Sequence, residues 1–334
     1  MHLSARGHAI IIVDNSSRRK IDVELEVGSL TPIRVEGFTA GENYRRLLTL
    51  LQQEQPDAVI HFAKQRAAPY SVKSGWHKRY TVSNNLNATN DLPAAIVESG
   101  QDIHLVHLAT MGVYGYGTAG TRSSIRSIPA ALPPDQDPGS GTQTEETRRD
   151  DRLINRFDHD GDYGTVLSRF LMQAAIGYPL TLHGTEGQTR AFIHIQDTCR
   201  CVDLALQNPP QRGKRVNILN QMTENHRVRD LARLIAARTG AQITMLPNPR
   251  SEADENDLHM VNDRSLGLGL QPAGGQADDR GQDIARKHAG RCDRSKIPCL
   301  SRWSTSRHHT ARPARRGLQG IRLISPSCFL QRNH

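Results

Sequence analysis

Thr110 and Tyr114, in the segment TMGVYG, place a hydroxyl and a phenol four residues apart just beyond an apolar run. A hydroxyl at a strand end can hold a ligand hydroxyl while a phenol removes its proton. The phenol must first be activated, because at its ordinary pKa of about 10 it is a poor base at neutral pH. A lysine four residues on would supply that activation, and none of the seven tyrosines, Tyr44 to Tyr178, has one. The usual proton-transfer pair is therefore absent. Three arginines complete the set: Arg66 in HFAKQRAAPYS, Arg190 in GQTRAF and Arg250 in PNPR. Guanidinium is suited to bidentate oxyanion recognition, so arginines converging from separate segments could clamp a diphosphate or a sulfur oxyanion.

Other patterns are weaker. Gly115, Gly117 and Gly120 make a formal Gly-x-Gly-x-x-Gly, but such a loop must open a helix, with an acid about twenty residues on. Here Pro129, Pro133 and Pro134 follow with no helical stripe. Asp14 ends an apolar run where an acid could hold a ribose; a simple strand-end turn residue is the alternative. The fifteen histidines show neither His-x-x-x-His nor His-Glu-x-x-His, and the five cysteines include no Cys-x-x-Cys. No metal site is expected.

These residues need strands to position them. Residues 9–13 are a short apolar run that fits a buried parallel strand. Residues 43–55 carry Tyr44, Leu47, Leu48 and Leu51 at helical spacing behind a possible Asn43 cap. A strand over 58–62, a helix over 86–98 in which Pro93 would remove one hydrogen bond and cost about 3 kcal/mol unless it lay in the first turn, and a strand over 103–108 follow. Such alternation predicts a doubly wound, Rossmann-like parallel α/β sheet binding ligands at the carboxyl ends of its strands, where Asp14, Arg66 and Thr110 all fall. Residues 120–143 read as an irregular linker. Helices are then expected over 166–176, 197–207 (capped by Asp197) and 228–238, and strands over 180–183, 191–195, 216–219 and 243–246, making a smaller α/β domain. The expected division is 1–164, 165–275, 276–303 and a tail from 304 to 334.

The net charge of +9 points to nucleic acid only until it is located. Residues 280–334 carry +11, which leaves −2 on everything before them. The tail has no sustained period and reads as a solvated basic end rather than a nucleic-acid module. No run of apolar residues approaches a membrane span, and a cytoplasmic location is the default expectation.

The segments VDNSSRR, PDAVIHFAKQRAAPYS, HLVHLATMGVYGYGTAG, GQTRAFIHIQDT and PNPRSEADEN together resemble the UDP-sulfoquinovose synthases, of the NAD-dependent epimerase/dehydratase branch of the extended short-chain dehydrogenases. The resemblance covers residues 3 to about 303. It implies bound NAD, the substrates UDP-glucose and sulfite, a product destined for sulfolipid headgroups, and a homodimer. Residue by residue it implies that Asp14, Asn15 and Arg18 touch the adenosine end of NAD, Asn85 its nicotinamide side, and Arg66 the region between cofactor and sugar. Thr110 would be the catalytic hydroxyl, and Gln188, Arg190 and Arg250 would hold the uridine diphosphate. It also implies three stretches not seen in this sequence: a first strand with its glycine loop before residue 1, a strand between Arg34 and Asn43, and a stretch between Gly120 and Gly141 containing the Tyr and Lys. A generic UDP-glucose 4-epimerase, a catalytically silent UDP-sugar binder and a nucleic-acid binder are the competing expectations.

Overall fold

The computed structural model describes residues 2–14, 33–37, 43–110, 131–132, 161–184, 187–214, 216–247 and 260–272. All belong to one compact unit, Met1–Pro298.

The run IIIVD forms β1 (Ile10–Asp14), as its β-branched residues favour. A 3-10 turn, Ser4–Arg6, precedes it and ends at Gly7, whose φ of 87° suits a residue without Cβ. β1 pairs in parallel with β2 (Ile33–Gly37), Ile10 opposite Ile33 and Asp14 opposite Gly37. β2 corrects the expectation that this region lacks its strand. The alternation Ile33, Val35 is short and interrupted by Arg34 and Glu36, so it does not announce itself.

The expected helix and strand follow as α1 (Asn43–Glu54) and β3 (Ala58–His61). The chain then runs through residues 62–67, the single turn α2 (Ala68–Ser71) and α3 (Gly75–Ser99) into β4 (His104–His107), which pairs in parallel with β3. Parallel neighbours need a long crossover, and a helix supplies it. α1 packs on α3; the Tyr44 hydroxyl donates to the Glu98 carboxylate, and Gln101 Nε2 donates to the Leu51 carbonyl at 3.0 Å.

α3 begins at Gly75 rather than near residue 86. The Ser74 hydroxyl caps it by accepting the His77 N–H, while its first turns carry Lys78, Arg79, Ser83, Asn84 and Asn85 and show no apolar stripe. Pro93 lies inside the helix and not in its first turn. The interior proline costs about 3 kcal/mol, and Leu92 and Ala95 beside it are buried. β5 (Ala109–Thr110) continues from β4 and pairs in parallel with β6 (Ala131–Leu132), a two-residue strand within the stretch expected to be irregular.

The second half comprises α4 (Val166–Ala175), β7 (Leu180–His183), β8 (Thr189–Phe192), α5 (Ile195–Gln207), β9 (Glu224–Arg227), α6 (Val228–Thr239), β10 (Ile243–Leu246) and α7 (Asp263–Gly267). β7 pairs in parallel with β10, and β8 runs antiparallel to β9. The core here is Phe170, Leu171 and Met172 of α4, Leu180 and Leu182 of β7, and Val228, Leu231, Ala232 and Ile235 of α6. Thr165 caps α4, accepting the Ser168 N–H at 3.2 Å.

Three expectations need correction. No strand forms at 216–219: Val216 is exposed, and Arg264 donates to the Ile218 carbonyl, so a side chain occupies an acceptor that a ladder would use. β8 starts at Thr189 rather than at 191, because its partner β9 is the wholly polar ENHR, a strand without apolar alternation. α5 is capped by His194, whose Nδ1 accepts the Gln196 N–H at 3.1 Å, and not by Asp197, which is buried in the first turn. Among the described residues no helix is long and apolar enough to cross a membrane, and no group of three or more metal-binding side chains occurs.

Candidate functional site

The carboxyl ends of β3 and β4 are where the described residues gather most chemistry. The parallel register puts His61 opposite His107, and their rings lie 4.9 Å apart. Lys64, three residues past the end of β3, turns so that Nζ is 3.1 Å from His107 Nε2. Burial holds the Lys64 ammonium below its usual range. His107 is lowered by burial and then by Lys64. His61 is lowered furthest, to about 4, by burial first and then by the charges of His107 and Lys64.

The next residue in the loop is clasped to α3. The Gln65 N–H donates to Asn85 Oδ1 at 2.7 Å, and Asn85 Nδ2 donates back to the Gln65 carbonyl at 2.9 Å. The Gln65 side chain also donates to the Tyr163 hydroxyl at 3.0 Å and accepts the Ala67 N–H at 3.2 Å. Arg66 is half-buried between these anchors. Beyond it an aromatic cluster builds up: Tyr70 packs against Tyr163 at 5.4 Å and edge-on to His77 at 4.7 Å, and Trp76 stacks on Tyr80 at 5.3 Å. Lys73 pairs with Asp162. Burial raises the Tyr70 phenol, helped by Tyr163 and Tyr80, so Tyr70 is no substitute for an activated base.

The sequence-derived candidates fall as follows. Asp14 ends β1 and Thr110 ends β5, both at carboxyl ends of parallel strands. Asn85 and the residue before Arg66 are joined directly by the clasp. Gln188 and Arg190 are brought together at β8: Arg190 Nη2 donates to Gln188 Oε1, and its Nη1 to the Thr189 carbonyl at 3.3 Å. Arg190 faces His226 across the antiparallel ladder, and His226 contacts the Glu224 carboxylate at 2.6 Å. The Gln188 carbonyl accepts the Val228 N–H at 3.1 Å, which fixes this corner to the start of α6. Asn15, Arg18, Arg250 and the Gly115 to Gly120 loop lie outside the described residues. Sequence reasoning missed the Lys64–His107 contact and Tyr163. The signal available was the shared pattern of AVIH and HLVH, two apolar strands each ending in histidine.

The family model for the NAD dependent epimerase/dehydratase family matches residues 1–134 and 153–218. The chain belongs to this family. Among its members the UDP-sulfoquinovose synthase of Spinacia oleracea, a chloroplastic protein, is 34% identical across 81% of this chain and 69% of its own length. That of Sulfolobus acidocaldarius is 31% identical across 81% of this chain and 84% of its own. Solved structures of epimerases in the family share the fold. A UDP-glucose-4-epimerase from Stenotrophomonas maltophila, with bound NAD and formylated UDP-arabinopyranose, superposes with a TM-score of 0.68 over 87% of this chain and 94% of that one, at 20% identity. The Bifidobacterium longum UDP-glucose 4-epimerase, in complex with NAD+ and UDP, gives 0.64 over 86% and 92%, at 16% identity. The Rossmann-like architecture expected from the alternating elements is thereby established.

Proposed function

We propose that this protein binds NAD and a UDP-sugar and carries the pocket of a UDP-sulfoquinovose synthase, the enzyme that would join UDP-glucose and sulfite for sulfolipid headgroups. The observation that supports this best is the clasp between Gln65 and Asn85, which fixes the loop carrying Arg66 beyond the carboxyl end of β3.

The residues present suit NAD. Asp14, at the carboxyl end of the parallel strand β1, is an acid where a ribose can be held. The Lys64 ammonium offers a cation to the anionic part of the cofactor, and Asn85 would stand on its nicotinamide side. Asn15 and Arg18 extend the adenosine side, and residues 1–164 form the cofactor domain. When bound, NAD would supply the acceptor and donor for the hydride exchanged with the sugar. Thr110 holds the sugar hydroxyl that loses its proton, Arg66 lies between cofactor and sugar, and Gln188, Arg190 and Arg250 hold the uridine diphosphate from the domain spanning 165–275. Exposed Trp76, Val82, Leu86 and Val97 on α3 support a homodimer through that helix. A cytoplasmic location completes the proposal.

A second possibility, a UDP-sugar binder with little turnover, is favoured by the absence of any Tyr-x-x-x-Lys. Purified protein should show copurified nucleotide in its ultraviolet spectrum and bind UDP-glucose by calorimetry. With NAD, UDP-glucose and sulfite it should form UDP-sulfoquinovose far more slowly than a relative possessing the Tyr and Lys. Absence of any binding to NAD or UDP-glucose would refute both readings, and full-rate turnover would refute the silent one.

A further inference from the structure

His61, His107 and Lys64 are three nitrogen bases at one strand end with no acid among them. Among the described residues, no ion pair places a carboxylate on any of the three. The charges acting on His61 are those of His107 and Lys64, and the one acting on His107 is that of Lys64. His104, at the far end of β4, is lowered by burial and acts on neither. His61 is only 6% exposed, and its Nε2 is buried with no hydrogen-bond partner. A buried polar atom left unpaired costs about 1 to 3 kcal/mol, so the cluster is incomplete as it stands. A second cation placed here would be repelled; an anion would be held.

We propose that the carboxyl ends of β3 and β4 form a proton-coupled oxyanion site, in which an oxyanion binds against Lys64 and His107 together with a proton taken up from solution by the His107 and His61 pair. The oxyanion is either a phosphate of the bound nucleotide or a free sulfate-like ion. In the first case the site deepens the nucleotide reading above and rests on it; in the second it stands alone.

The coupling follows from charge. Without an anion the two histidines are neutral near pH 7, because desolvation and the Lys64 ammonium oppose a further positive charge. An oxyanion within reach cancels that repulsion and raises the affinity of both rings for protons. By linkage, ligand affinity then falls as pH rises, by about tenfold per pH unit for each whole proton taken up.

The test is calorimetry on the full chain at about pH 6.5 in three buffers of different ionisation enthalpy, with sodium sulfate and NAD as separate titrants. For the titrant that occupies the site, the observed enthalpy should depend on the buffer and report uptake of at least about 0.3 proton per ligand. Affinity should fall by at least about twofold between pH 6 and 7. His107→Gln should abolish the uptake, Lys64→Met should weaken binding about tenfold or more, and Lys64→Arg, which keeps the charge, should retain both. Urea midpoints for each variant separate these effects from loss of fold. Buffer-independent enthalpies with both titrants, unchanged uptake in His107→Gln, or no binding of either titrant would overturn the site. NAD binding without proton uptake, with sulfate silent, would remove this inference and leave the nucleotide reading standing. Sulfate binding with uptake, alongside no NAD binding, would do the reverse.

Discussion

His61 makes the stability of the protein depend on pH in a way that can be calculated. In the unfolded chain its imidazole titrates near 6.5, and in the folded protein at about 4. A histidine whose folded-state affinity for protons is depressed leaves the unfolded chain holding more protons between those two values. Its contribution is therefore fully present above about pH 6.5 and is lost as pH falls toward 4. Between pH 7.5 and 5 the linkage relation gives a loss of about 2 kcal/mol as a ceiling, which solvent access to the strand end trims. The perturbation is His61→Gln, a side chain of similar size that does not titrate. Urea unfolding at fixed ionic strength should show the wild type losing about 1 to 2 kcal/mol more than the variant across that pH range, whatever the variant costs at pH 7.5. Parallel pH profiles for the two proteins would show that His61 is not held neutral by its surroundings, and the electrostatic account of the strand end would fall with them.

Other consequences are as direct. Asn85→Ala removes both halves of the clasp on Gln65; it should cost about 2 to 3 kcal/mol and weaken NAD binding, measured by chemical denaturation and titration. Ile235→Ala opens a cavity in the α4, β7 and α6 core, where Ile235 is 1% exposed, and should cost about 2 to 5 kcal/mol by the same denaturation assay. Arg212→Ala breaks a pair with Asp102 in which both side chains are at least 80% exposed, and its thermal midpoint should stay within about 2 °C of wild type. Cys201, pushed up to about 12 by burial, should react with iodoacetamide at pH 8 only once the protein is unfolded, as peptide mapping would show.

The strands β7 and β10 have the bounds that the apolar runs LTLH and ITML predict, and α1 departs from expectation by one residue. Each encodes its state locally, through β-branched residues or a leucine stripe. β9 is legible only once β8 is known, because the polar ENHR becomes a strand by pairing. Half of α3 is hidden because its first turns mix polar groups with the exposed Trp76 and Val82 and carry no apolar stripe, so Ser74 is the local marker. The site divides in the same manner. Arg66, Asn85 and Thr110 stand out through their motifs, whereas Lys64 and His107 are 43 residues apart and meet only because β3 and β4 align in one register. A one-residue slip would send one histidine to the opposite face, and no local pattern carries that information.

The clasp of Gln65 on Asn85 has a mechanical side. α3 is a rod of 25 residues, about 37 Å long, gripped by α1 near its C-terminal end through Tyr44 and Glu98 and fastened near its middle to the backbone of the pocket loop. A tilt imposed on its outer end would reach Lys64 and Arg66 as a displacement of the whole loop, not as a rearrangement of side chains. Whatever docks along that rod has a lever on the pocket.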